Sequence, residues 1–350
     1  SQNMSGALKK IIDAKTLQSL VASGAINKEG IRLFDCTYFP TPFVQAPTLV
    51  RTLSLLSTGG EPSKEVAEWQ RFKEENYGRF SKMIAAESRA HSIYAASHIP
   101  GAVHCDPAIA TYPSRYERFT YYPADIFEQY IQLLGVNKGE HIIVYGRGAQ
   151  GGMLFAGKMA WILKSYGQEK LSLLDGGIEN WKKSKFELSK QAVQPQRGDW
   201  TAIDRIADCN ISLEQLQQKD ADGKEFIEKS SETRFIDARV RGQFDGTEDT
   251  GLDPYSVPAS HIPGFTSMPS SELVNENGLL KSEEEIKKVI PAGDKPIVTI
   301  CNLGVQASLL SYVLDTVDEK TRPKVYPGSL KEMEKRDPKR ISAGRRDLPH

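Results

Sequence analysis

The 350-residue chain carries four cysteines, Cys36, Cys105, Cys209 and Cys301, and the last has the surroundings of a nucleophile. Cys301 follows the largely apolar run Pro296-Ile297-Val298-Thr299-Ile300. It opens the short turn Asn302-Leu303-Gly304-Val305-Gln306-Ala307, beyond which the pattern predicts a helix over 308–317. Such a run reads as a buried parallel strand, and in α/β sheets ligands collect at the carboxyl ends of those strands. A glycine-containing turn there can aim several backbone N–H groups inward, while the helix behind it adds partial positive charge. Both favour a thiolate, the form in which cysteine attacks a soft electrophile. On position alone, a buried cysteine that merely fills space is an equally good reading.

The cysteines are widely spaced, with no Cys-x-x-Cys pair and no Cys/His cluster at zinc spacing. They read as free thiols in a reducing compartment, with Cys36, Cys105 and Cys209 inert. The run Gly146-Arg147-Gly148-Ala149-Gln150-Gly151-Gly152 has the look of a phosphate cradle. It lacks the Lys-Ser/Thr of a P-loop and the Gly-x-Gly-x-x-Gly spacing of a dinucleotide site.

The elements that must position Cys301 occur twice. Arg32-Leu33-Phe34-Asp35 matches Arg234-Phe235-Ile236-Asp237, and Ser97-His98-Ile99-Pro100-Gly101 matches Ser260-His261-Ile262-Pro263-Gly264. The apolar strand His141-Ile142-Ile143-Val144-Tyr145 matches the strand before Cys301, so Gly146 falls at the cysteine position and the first copy has no nucleophile. Further helices are expected over 16–23, near 126–134 and over 153–164, with a strand over 171–174 and a helix carrying Trp181. Two such units imply an α/β chain of two domains, each a mostly parallel sheet flanked by helices. The expected boundaries are 8–188 for a silent first domain, 189–205 for a polar linker, and 206–346 for the domain with Cys301. Residues 40–96 form an insertion, read as an ordered helical excursion because it holds Trp69, Phe72, Tyr77 and Phe80. His98 and His261 precede their Ile-Pro-Gly turns and are expected to fix them by hydrogen bonding.

On these residues the chain resembles the tandem-rhodanese family of thiosulfate and 3-mercaptopyruvate sulfurtransferases. The match rests on the twofold His-Ile-Pro-Gly element, Leu174-Asp175-Gly176-Gly177 with Asn180-Trp181, and Ile236-Asp237-Ala238-Arg239 with Gly242, Phe244, Gly246 and Thr247. Cys301 with Gly304-Val305 completes it, so nearly the whole chain is covered. The resemblance implies two similar α/β domains with the active loop in the second. It implies that Cys301 takes the outer sulfur of thiosulfate or 3-mercaptopyruvate as a persulfide and passes it to cyanide, a small thiol or a protein thiol. No metal or organic cofactor is implied. The substrate site implied is the loop Asn302, Leu303, Gly304, Val305, Gln306 and Ala307, with Arg239 and Arg241 nearby.

Some family positions differ. The loop has Asn302 and Leu303 where thiosulfate-type members carry cations, and Gln306 where mercaptopyruvate-type members carry threonine. The first substrate arginine falls on Gln243, and the second has no match in Glu248-Asp249-Thr250-Gly251-Leu252. Tyr326-Pro327-Gly328-Ser329-Leu330 lacks the family's Asp and Trp. An ion pair with Asp237 is the competing role for Arg239, and a solvated surface position that for Arg241. A tandem-rhodanese protein that only binds a partner is the second reading. A phosphatase of the Cys-x-x-x-x-x-Arg type is excluded, because Ala307 stands where the phosphate-gripping arginine is needed.

Lys+Arg and Asp+Glu balance at 45 each, so no global field attracts nucleic acid or an anionic membrane. Hydrophobic content of 39% and charged content of 26% suit a soluble globular protein. No apolar run is long enough to span a bilayer, and residues 1–10 lack a signal-peptide core. The expected partners are a small sulfur donor and a thiophilic acceptor. The expected compartment is the cytoplasm, with a mitochondrial location as the alternative.

Overall fold

The computed structural model describes residues 8–39, 64–248 and 259–344. Its first half holds β1 (Ile11–Ile12), α1 (Ala14–Ala22), β2 (Ile31–Asp35), α2 (Lys64–Glu75), α3 (Phe80–Ala85), α4 (Arg89–Ala96) and β3 (Val103–His104). These are followed by β4 (Thr111–Tyr112), β5 (Thr120–Tyr121), α5 (Ala124–Leu133), β6 (His141–Tyr145), α6 (Leu154–Ser165), β7 (Leu171–Leu174) and α7 (Gly177–Lys183). The second half holds α8 (Leu213–Leu216), β8 (Arg234–Asp237), α9 (Arg241–Asp245), β9 (Thr266–Ser267) and α10 (Glu283–Val289). It ends with β10 (Ile297–Ile300), α11 (Val305–Val317), β11 (Lys324–Val325) and α12 (Ser329–Arg336).

The first sheet runs β1-β7-β6-β2-β3 and the second β11-β10-β8-β9, with every pair parallel. The four strands β7-β6-β2-β3 therefore repeat as β11-β10-β8-β9, and β1 is the addition. Parallel strands covered on both faces are largely apolar, and every residue of β6, β7 and β10 is buried, the polar His141, Ser172 and Thr299 included. The central strands β6 and β10 end at Gly146 and Cys301, as their apolar runs suggest. β4 and β5 form a separate antiparallel ribbon.

Expected and observed helices differ mostly at their ends. The first begins at Ala14, where the Asp13 carboxylate accepts the Thr16 N–H at 2.8 Å and caps it. The helix behind Cys301 begins at Val305 instead of residue 308. Gly304 takes φ +84° and ends the turn there, so the loop after β10 is four residues long, 301–304. Helices α10 and α12 carry no expectation above. Ser282 and Glu285 close a reciprocal cap on α10, whereas the signal for α12 is hidden in the turn 326–329.

Within the insertion, α2, α3 and α4 confirm helical structure for its described part; residues 40–63 lie outside the described residues. Phe80 stacks on Tyr130 with ring centroids 5.2 Å apart and meets Tyr122 edge-on, which anchors α3 to the first half. The segment 189–205 lies along the first half. Ser189 pairs with His98, and the buried Trp200 donates its indole N–H to Gln168 at 2.8 Å.

The two halves share one continuous core. Helices α6 and α11 meet so closely that a Cβ on Gly157 would lie 2.7 Å from the Leu309 side chain. Leu309, Leu310, Trp161 and Ile162 are fully buried between them, each contributing about 1.5–3 kcal/mol of apolar burial. At one end of the seam Lys164 pairs with Asp315 at 2.5 Å, and the Tyr312 hydroxyl donates to the Lys10 carbonyl at 2.6 Å. This face-to-face packing carries the N-terminal end of α11, with its loop, onto the first half. Among the described residues, no helix is long and apolar enough to cross a membrane.

Candidate active site

Cys301 is buried, and its sulfur is held by the backbone of its own loop. Sγ accepts the Gly304 N–H at 3.0 Å and the Ala307 N–H at 3.4 Å. Donors converging on a sulfur at a helix start stabilise negative charge on it. Gly304 makes this turn possible: besides its positive φ, a Cβ there would stand 2.6 Å from the Pro327 carbonyl. The Ser308 hydroxyl donates to the Gly304 carbonyl at 2.6 Å and fixes the first turn of α11.

A second clamp comes from the start of α12. Ser329 Oγ accepts the Cys301 N–H at 3.1 Å and donates to the Tyr326 carbonyl at 2.8 Å. The N–H groups of Leu330 and Lys331 donate to the carbonyls of Cys301 and Asn302 at 3.0 and 3.1 Å. These bonds hold the backbone of Cys301 and Asn302 against the start of α12. Ser329 adopts φ +52°, a strained value for serine that α12 and its three loop contacts hold in place. Sequence reasoning missed Ser329, whose only trace was its place in the turn matching Asp175-Gly176-Gly177.

The other loop residues point in several directions. Leu303 and Val305 pack against Phe119 of the first half, with Tyr38 and Phe155 behind it. Tyr38 stacks on Phe155 at 4.3 Å and meets Phe119 edge-on at 5.5 Å. The Asn302 amide donates to Gln243 Oε1 at 3.4 Å, so the glutamine at the family's arginine position does reach the loop. Gln306 is partly exposed on the first turn of α11.

Neither candidate arginine joins this group. Arg239 is fully buried and grips Asp237: Nη2 donates to Oδ2 at 2.9 Å, Nε approaches both carboxylate oxygens, and Nη2 also reaches the Ser260 carbonyl at 2.6 Å. That is the ion-pair role, and it departs from the substrate contact the resemblance implied. A buried aspartate at a strand end needs a partner, and the guanidinium two residues on is the nearest one. Arg241 lies on the surface, paired with Glu272 at 2.9 Å with both side chains about half exposed. This is the solvated surface position, with its guanidinium engaged by Glu272. Residues 249–258, which include most of the stretch compared with the second family arginine, lie outside the described residues.

Two buried cations come from the first half. Lys158, on α6, is fully buried, and burial lowers its ammonium to about 8; Glu117 and Cys301 are the anionic groups that pull it back up. Glu117 is pushed up to about 7, by burial first and then by Glu332. Arg118 is also buried, beside Tyr38. The two histidines before Ile-Pro-Gly act on their turns: His98 bridges the carbonyls of Tyr94 and Gln191, and His261 stacks on Phe244 and meets its carbonyl at 2.7 Å. All four cysteines are free and buried. Among the described residues no cluster of His, Cys, Asp and Glu could hold a metal ion.

Comparison with known proteins agrees with this architecture. Residues 74–184 match the family model described as a Rhodanese-like domain. The chain is 47% identical over 350 residues to mpst-1 of Caenorhabditis elegans, provisionally named a thiosulfate sulfurtransferase, covering 98% of this chain and 100% of that protein. The chain belongs to the tandem-rhodanese sulfurtransferase family. Human 3-mercaptopyruvate sulfurtransferase is 31% identical over 219 residues, 60% of this chain and 68% of that protein. The crystal structure of SseA from Escherichia coli, described as a 3-mercaptopyruvate sulfotransferase with the rhodanese fold, superposes with a TM-score of 0.63 at 23% identity. The superposition covers 92% of this chain and 99% of that one, which shows the two-domain fold. Within this family setting, the second sheet carries the cysteine loop and the first carries Gly146 in its place.

Proposed function

We propose that this rhodanese-family chain moves a sulfane sulfur from thiosulfate or 3-mercaptopyruvate to a thiophilic acceptor through a persulfide on Cys301. The observation that carries the reading is the pair of backbone N–H groups on Sγ, from Gly304 and Ala307. They favour the thiolate before the reaction and leave the loop ready to hold a terminal persulfide anion.

With thiosulfate, the thiolate attacks the outer sulfur. A Cys–S–S bond forms, the S–S bond of the donor breaks with its electron pair leaving on sulfite, and the charge rests on the terminal sulfur of the persulfide. With 3-mercaptopyruvate the C–S bond breaks, and pyruvate leaves after its carbon takes the thiol proton. Cyanide or a thiolate then attacks the terminal sulfur and regenerates the Cys301 thiolate. No metal or organic cofactor enters either half-reaction. The names of the relatives divide between the two donors. The loop side chains Asn302, Leu303 and Gln306 offer neither a hydroxyl for the mercaptopyruvate proton nor a cation for thiosulfate, so the reading keeps both donors.

The test is intact-mass analysis of the reduced protein after incubation with each donor separately, beside Cys301→Ser. The expected result is a gain of one sulfur that cyanide removes and that Cys301→Ser never shows. No added sulfur from either donor in a folded protein would replace this reading with that of a non-catalytic binding module.

A further inference from the structure

Lys158 is out of keeping with its surroundings. It sits in the middle of α6, the helix that packs directly on α11, and is fully buried. Its Nζ meets no hydrogen-bond partner among the described residues. The contacts it has are aromatic faces: Nζ lies 5.9 Å from the Phe119 ring centroid and 5.6 Å from that of Tyr121. Burying an ammonium without an acceptor is costly, and a methionine or leucine would fill the same place at no such cost. A fold under stability pressure alone would discard it, so a use for the charge is the economical explanation.

The surroundings say what that use is. Phe119, over which Nζ lies, also packs against Leu303 and Val305 of the cysteine loop. Gly157, the neighbour of Lys158, lets α6 close on Leu309 of α11. The charge therefore sits on the wall that the silent half presents to the active loop. The rings beneath it are those of Phe119 and Tyr121, and the acidic groups whose charge bears on it are Glu117 and Cys301. Arg239 and Arg241 are both committed to carboxylates elsewhere.

We propose that Lys158, supplied by the half without a nucleophile, is the charge partner of the Cys301 sulfur. It acts across the seam between the halves and holds the thiolate and then the persulfide anion that the loop N–H groups also bind. The proposal rests on Cys301 as the sulfur carrier. It makes the silent half a working part of the site and gives a reason for the tight seating of α6 on α11. Because Lys158 acts through the sulfur, it is a positioning residue. Burial lowers its ammonium to about 8, so its charge is present at neutral pH and is lost as pH rises through that value. Glu117, raised to about 7, ionises first and helps to retain the proton.

The experiment compares the full chain with Lys158→Met and Lys158→Arg. Two rates are read at Cys301 by mass spectrometry: alkylation by anionic iodoacetate relative to neutral iodoacetamide, and sulfur loading from thiosulfate. Thermal unfolding is followed in parallel. The expected result for Lys158→Met is a fall of about tenfold in both the iodoacetate preference and the loading rate, with an unfolding temperature equal to or above that of the parent. Lys158→Arg keeps most of both rates. The parent's iodoacetate preference declines as pH rises through about 8, and Lys158→Met lacks that decline. An unchanged iodoacetate preference in Lys158→Met would overturn the proposal, as would equal losses in both variants accompanied by a lower unfolding temperature. The alkylation readout needs no sulfur transfer. A parent that shows the Lys158-dependent preference yet accepts no sulfur would sink the persulfide reading and leave the charge pairing standing. Loading on Cys301 with a flat preference would do the reverse.

Discussion

The two halves solve the same electrostatic problem with arginines from different places. Each has a fully buried aspartate at the end of its second central strand, Asp35 or Asp237, and each ties it to the serine carbonyl before His-Ile-Pro-Gly. In the first half the guanidinium is that of Arg147, donating to Asp35 at 2.6 Å, to the Ser97 carbonyl at 2.6 Å and to Thr37 Oγ1. In the second it is that of Arg239, donating to Asp237 at 2.9 Å and to the Ser260 carbonyl at 2.6 Å. Arg147 lies two residues past the end of β6, the position that Asn302 holds past β10. Arg239 lies two residues past Asp237, the position that Thr37 holds past Asp35. The clamp is the same, but moving its arginine off the loop leaves the space beside Cys301 to a small amide. In the half with Cys301 the cation comes from the strand end and the loop carries none.

The loops diverge for a related reason. The first runs for eight residues, 146–153, against four, 301–304, in the second. It folds on itself, so a Cβ on Gly146 would lie 2.7 Å from the Gly152 carbonyl. It also reaches the other half: Gln150 accepts a hydrogen bond from Ser270 at 2.8 Å, and Gly151 lies so near Gly278 that a Cβ would overlap its carbonyl. Without a cysteine, the first loop is part of the seam between the halves.

Breaking the clamps has the largest expected effect. Arg239→Met leaves Asp237 buried without its main charge partner and should cost about 3–5 kcal/mol in urea unfolding. Arg147→Met should cost less, because the Arg147 side chain is 15% exposed and water can reach the gap. Equal losses would show that the clamps carry the same load whatever their origin. The comparison sharpens with a transplant of the first arrangement: Arg239→Thr with Asn302→Arg should recover about half or more of the stability lost in Arg239→Thr alone. It should nevertheless abolish sulfur loading, since the new arginine fills the loop. Gly304→Ala comes next, at about 1–3 kcal/mol, with a loss of loading, because the left-handed backbone and the Pro327 carbonyl both oppose a side chain. The smallest change is Ser329→Ala, at about 1 kcal/mol, with slower loading as the Cys301 N–H loses its acceptor.

Much of this was legible in the sequence because it depends on local pattern. Short, largely apolar runs named β2, β6, β8 and β10, and the paired His-Ile-Pro-Gly elements exposed the duplication. Gly304 after an apolar run placed Cys301 in a turn. The start of α11 was misplaced by three residues because Gly304-Val305-Gln306 reads as turn until the positive φ of Gly304 is known to cap the helix. The Asp237 ion pair of Arg239 could be foreseen from the two-residue spacing, whereas its bond to the Ser260 carbonyl, 21 residues away, could not.

Composition, periodicity and repeat thus determined two α/β halves, the strand that delivers Cys301 and the glycine that takes its place in the first copy. Only the tertiary structure decided which charges stand beside the sulfur. The apolar run around Lys158 marks α6 as a buried helix, but it does not say what the ammonium faces. Its burial exists because a helix from each half closes on the other through Gly157, and that contact joins residues about 150 apart. The loop's own N–H groups are local and could be foreseen; the charge opposite them is a property of the seam.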